Sequence, residues 1–201
     1  MDLTATWAVT SEPDRFAAHA RDGIAPLLDW SPTEDAGNVR APWGVLGCRQ
    51  IDLDASAELV QRWAKADGPP LLLIGVFDSD GADVVSYGST GASRTFIDLE
   101  GYASSIFPGY APFDDEGNML EGAAREELEK RSELEFNRVC AMLRDHSSPA
   151  TVAAAALRDW ALESGLAVEP VERIKELLGR RDVFVEDTVW ALLAALGVRA
   201  S

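Results

Sequence analysis

Residues 71–88 read LLLIGVFDSDGADVVSYG, and this stretch decides the fold. LLLIGV is a continuous apolar run of strand length, DSDG concentrates the residue types that tight turns require, and DVVSYG alternates back, so residues 71–87 are expected to form a β-hairpin. The first arm is apolar on both faces, which places it in or next to the centre of a sheet, because a sheet edge of that composition would be sticky. A third strand is expected over residues 95–99, after the loop GSTGAS at residues 88–93.

N-terminal to the hairpin, residues 4–9 alternate around Trp7 and read as a strand. Ser11 before Glu12, Pro13 and Asp14 signals a helix start, with the helix running to about Arg21. Gly and Pro then interrupt the chain as far as Gly44, leaving an irregular segment that carries Trp30 and Trp43. Residues 45–53 read as a strand, and Asp54 is expected to cap a helix over residues 55–66 with Leu59, Val60 and Trp63 on one face.

Beyond Gly117 the sequence turns helical, except for a possible short strand at residues 183–185. A long helix is expected over residues 119–145, with Leu120, Ala124, Leu128, Phe136, Cys140 and Leu143 near one stripe. Further helices are expected over residues 150–164, 170–178 and 186–196, packing through Leu157, Trp160, Ile174, Leu178, Trp190 and Leu193. Strands early and helices late give an α+β fold. Its mixed sheet with a central hairpin occupies the N-terminal two thirds, and a mainly helical C-terminal portion follows. Residues 1–118 are expected to form the mixed body and residues 119–201 a helical portion packed on it, with a single domain overall as the alternative.

The 201 residues include 34 acids and 18 bases, a formal charge of −16. Residues 69–118 hold −7 of this, with Arg94 as their single cation. Such a chain repels nucleic acid and anionic membranes and attracts basic proteins. Asp114, Asp115 and Glu116 are consecutive acids between Pro112 and Gly117. With Arg94, Trp30 and Trp43 they are the expected contact residues. Two cysteines, Cys48 and Cys140, are too few for a disulfide framework or a four-thiolate metal site. The first residues lack a basic region followed by an apolar run, and no run approaches a membrane span, so a cytoplasmic protein is expected. His19 and His146 are the only histidines and read as structural. The composition points to a non-catalytic binding protein without a cofactor, of the kind exemplified by inhibitors and immunity proteins that neutralise a basic partner.

An alternative rests on a motif. FDSDG at residues 77–81, after an apolar strand, resembles the first motif of the haloacid-dehalogenase superfamily, and VFVEDTVWALLAALGV at residues 183–198 is similar to its last. The resemblance implies a Mg²⁺-dependent phosphatase or phosphotransferase, with Asp78 as nucleophile, Asp80 as acid and base, and Glu186 and Asp187 helping to hold the metal. Its intervening strand ending in Ser or Thr is missing, and Ala167 stands where its phosphate-binding lysine would fall.

Overall fold

The computed structural model describes residues 5–21, 30–32, 39, 41–49, 52–114 and 117–199. Six strands form one sheet in the order β2-β3-β1-β4-β5-β6. They are β1 (Ala5–Thr10), β2 (Ser31–Pro32), β3 (Gly44–Arg49), β4 (Leu71–Phe77), β5 (Gly81–Gly88) and β6 (Gly91–Ile97). Each pairing between these strands is antiparallel. The hairpin forms as expected, with Leu73 opposite Val85 and Ile74 opposite Val84. Its first arm lies inside the sheet between β1 and β5, and Leu72 and Ile74 are wholly buried.

Seven helices cover the sheet: α1 (Pro13–Arg21), α2 (Leu53–Lys65), α3 (Leu99–Ile106), α4 (Gly122–Asp145), α5 (Ala150–Glu163), α6 (Val171–Leu178) and α7 (Val185–Ala195). Because side chains alternate along a strand, the sheet has two distinct apolar faces. One presents Trp7, Val45, Leu72, Ile74 and Val84 to Leu157 and Trp160 of α5, Ile174 of α6 and Val189 and Leu193 of α7. The opposite face presents Ala8, Leu46, Leu73 and Val85 to Phe16 of α1 and Leu59, Val60 and Trp63 of α2. At the β5–β6 end of that second face, Phe96 packs with Tyr102 of α3 and with Cys140 and Leu143 of α4. The C-terminal helices therefore share one core with the N-terminal sheet.

Several expectations need correction. Asp52, and not Asp54, caps α2, its carboxylate accepting from the Ala55 amide at 2.7 Å. Strand β6 begins at Gly91, so the GSTGAS loop contracts to a two-residue turn at Ser89 and Thr90. Val185 opens α7 and is not part of a strand. Residues 99–106, which carry no strong periodicity, form α3. On α4 only Cys140 and Leu143 are buried, and Ala124 is exposed, because the N-terminal half of this helix extends beyond the sheet. Trp190 is only partly buried, stacked on Trp7 at 4.5 Å between ring centroids.

Trp30 and Trp43 are core residues and are not displayed to a partner. Trp30 meets Phe16 edge-on at 5.1 Å, and Trp43 meets Trp160 at 5.4 Å. Their large apolar areas hold parts of the irregular segment against the body.

Candidate functional site

The hairpin turn that begins the site is unusual in its backbone. Asp78 and Ser79 both adopt left-handed conformations (φ 47° and 61°), and the Asp80 amide closes the turn on the Phe77 carbonyl at 2.9 Å. The turn then lies directly against the start of α3. A Cβ on Gly101 would fall 2.1 Å from the Asp80 carbonyl oxygen, and one on Gly81 2.3 Å from the Tyr102 amide nitrogen. Two glycines thus allow backbone to touch backbone. Asp98, itself left-handed at φ 46°, caps α3 by accepting from the Gly101 amide at 3.1 Å. This junction fixes Tyr102 over the sheet face beside Phe77 and Phe96, whose ring centroids lie 5.5 and 5.1 Å away.

Under Tyr102 lies a buried ion pair. Asp83 on β5 faces Phe96 across the ladder, and Arg94 on β6 faces Val85. The two charges are therefore diagonal neighbours on one face of the sheet. Arg94 Nε stands 3.1 Å from Asp83 Oδ1, with side-chain exposures of 13% and 7%. Arg94 Nη2 donates to the Leu53 carbonyl at 2.9 Å and to Ser56 Oγ, so the guanidinium ties the first turn of α2 to the sheet. Ser56 Oγ also donates to that carbonyl, at 2.9 Å. Burial pushes the Asp83 carboxyl up to about 7, against the opposing pull of Arg94. It pushes the Tyr102 phenol up as well, with Asp83 and Asp52 adding to the rise and Arg94 opposing it.

Arg94 of this pair borders a cleft of about 760 Å³. Arg94, Phe77 and Tyr102 line it. Asp52, Leu53 and Asp54 from the start of α2 form one wall, Ser105 and Ile106 of α3 another, and Met142 and His146 at the end of α4 the third. His146 Nδ1 lies 2.8 Å from the Met142 carbonyl. Among the described residues no ion pair engages Asp52 or Asp54. Asp52 and Asp54 line the cleft together with Arg94, whose charge Asp83 already opposes, so acidic groups outnumber basic ones in the lining. Its size is that of a ligand site, and its lining mixes apolar, aromatic and a few polar groups.

The residues singled out from sequence are divided by the structure. Arg94 lines the cleft. Asp114 belongs to a compact loop, where its carboxylate accepts from the Asn118 amide at 2.7 Å and from Asn118 Nδ2 at 3.1 Å. Asp115 and Glu116 lie outside the described residues. Asp78 lies within the turn and Asp80 closes it, and Glu186 reaches the same turn from α7, where its Oε1 accepts from Ser79 Oγ at 2.5 Å. The Val185 amide donates to the Ser79 carbonyl at 3.0 Å. The pieces that resemble the dehalogenase motifs are therefore neighbours, but through a serine and backbone groups. No group of three His, Cys, Asp or Glu residues among the described residues is arranged to hold a metal ion.

Asp52, Asp54, Asp83 and Tyr102 were not legible as site residues. One signal was present: Arg94 is the single cation of residues 69–118, and Asp83 interrupts an otherwise apolar strand two residues after the turn. Among the described residues no helix is long and apolar enough to cross a membrane. No protein-family model matches the chain, and neither the curated proteins nor the solved structures contain a match to it.

Proposed function

We propose that the chain is a cytoplasmic, non-catalytic binding protein that captures a basic protein partner, in the manner of an inhibitor or immunity protein. The observation that carries this reading is the charge balance of the cleft. Among the described residues Asp52 and Asp54 line it without ion pairs, and Arg94 is already opposed by Asp83. A cation entering the cleft gains attraction without having to displace an internal partner. The −16 charge of the whole chain acts at longer range, raising the encounter rate with a basic surface.

The test is association with fluorescein-labelled arginine- and lysine-rich peptides, with sequence-scrambled glutamate-rich peptides as controls. Binding should be confined to the basic peptides, and its rate should fall steeply as salt shortens the screening length below about 8 Å. Association that ignores salt refutes the reading. Mg²⁺-dependent hydrolysis of p-nitrophenyl phosphate that disappears in Asp78→Asn would replace it with the phosphotransfer alternative.

A further inference from the structure

We infer that the cleft beside Arg94 is a receptor for one arginine residue of that partner, its guanidinium held by the carboxylates of Asp52 and Asp54 and its peptide carbonyl accepting from the Arg94 guanidinium. The inference rests on the proposed function and adds to it the chemistry of the contact.

The donor side comes first. Among the described residues, Arg94 holds Nε 3.1 Å from Asp83 Oδ1 as an ion pair and donates through Nη2 to the Leu53 carbonyl and Ser56 Oγ, and no acceptor engages its Nη1. A guanidinium held this firmly in the lining of a cleft is a pre-oriented donor for a ligand oxygen. The charge balance excludes an anion as the main group, since carboxylates outnumber the guanidinium. A neutral acceptor such as a peptide carbonyl satisfies the donor without that repulsion.

The acceptor side selects a cation. Asp52 uses one oxygen to cap Ala55, leaving the other, and Asp54 sits two residues on in the first turn of α2. A planar guanidinium carries five donors in a fixed fork and can serve two carboxylates together, whereas an ammonium is a compact and strongly hydrated point charge. The walls between the two ends fit the rest of an arginyl residue. Ile106 and Met142 are apolar and partly exposed, suited to a methylene stem. Phe77 and Tyr102 present aromatic surface, on which a guanidinium also stacks.

The experiment uses the full chain with Nα-acetyl-arginine amide, which has peptide carbonyls and a guanidinium but no terminal charges. Met142 is labelled as ¹³C-methyl methionine and followed by NMR. Titration should shift the Met142 methyl with a dissociation constant on the order of 1 mM, the range open to a ligand of this size. Nα-acetyl-lysine amide should bind about tenfold more weakly, and Nα-acetyl-citrulline amide, isosteric but uncharged, should leave the methyl unmoved. Asp54→Asn should weaken the arginine derivative by about tenfold. Glu127→Gln, on the exposed half of α4, should not change it. Equal binding of the lysine and arginine derivatives, or saturable binding of the citrulline derivative, overturns the inference. If basic peptides associate with the chain in a salt-dependent way while the arginine derivative leaves Met142 unmoved, the inference falls and the proposed function stands. If neither occurs, both fall.

Discussion

Replacing Arg94 by leucine should leave Asp83 as a buried acid with no opposing charge, and the cost should depend on pH in a way the geometry sets. In the native protein the Asp83 carboxyl is raised to about 7 by burial, in spite of Arg94 at 3.1 Å. Removing the guanidinium removes the influence that lowers it, so the proton is held more tightly still. At about pH 8 the variant must keep an unpaired carboxylate in the core or hold a proton against the solvent, and breaking such a pair costs about 3–5 kcal/mol. At about pH 5 Asp83 is already protonated, so the loss shrinks to the two hydrogen bonds from Nη2, about 1–2 kcal/mol. The lower figure is favoured because Ser56 Oγ continues to donate to the Leu53 carbonyl at 2.9 Å. Urea unfolding at the two pH values measures both numbers, with an unchanged dependence on denaturant confirming that the same transition is followed. The double variant Asp83→Leu/Arg94→Leu should recover much of the loss at about pH 8, since an apolar pair needs no compensation. An equal loss at both pH values, or a double variant no more stable than Arg94→Leu, would refute the assignment of Asp83 and Arg94 as a coupled buried pair.

Three further outcomes are expected. A carboxyl whose folded pKa lies above its unfolded value binds protons preferentially in the folded state, so Asp83 should make native stability decline as pH rises from about 4 to about 7 and level off above; Asp83→Asn should flatten that slope in urea titrations. Trp160→Ala should cost about 3–5 kcal/mol, as expected for a wholly enclosed ring, while Trp190→Ala, truncating a partly exposed ring stacked on Trp7, should cost clearly less by thermal denaturation. Burial pushes the Cys48 thiol up to about 12, so a thiol reagent such as Ellman's should leave it unmodified in the folded chain and label it once urea unfolds the sheet.

Legibility followed the range of the interactions involved. The hairpin was readable because its signals are local: an apolar run, turn residues, and an alternating return, with each part confirmed by β4, the turn at Asp78 and Ser79, and β5. Apolar spacing likewise located α2 and the three C-terminal helices. Helix α3 escaped because its stability is tertiary. Its eight residues include Gly101 and two serines, its cap is a left-handed aspartate, and what holds it is the close approach of Gly101 to the Asp80 carbonyl. The outer half of α4 misled in the opposite sense, since its apolar spacing at Ala124 and Leu128 predicted burial that the reach of the sheet does not supply. The cleft was hidden for a third reason. Its residues come from α2, β4, β6, α3 and α4, and no linear motif records that Asp83 and Arg94 become diagonal neighbours until the register of β5 and β6 is known.

The turn Asp78–Asp80 touches α3 through the Asp80 carbonyl and α7 through Ser79, which accepts from the Val185 amide and donates to Glu186. These helices lie on opposite faces of the sheet, so the turn ties the two covering layers together around the sheet's end. Val183 and Phe184, exposed apolar residues, immediately precede α7 on one side of that tie. The two layers are thereby joined here by backbone and side-chain hydrogen bonds at the rim, in addition to the apolar contacts each makes with its own face of the sheet.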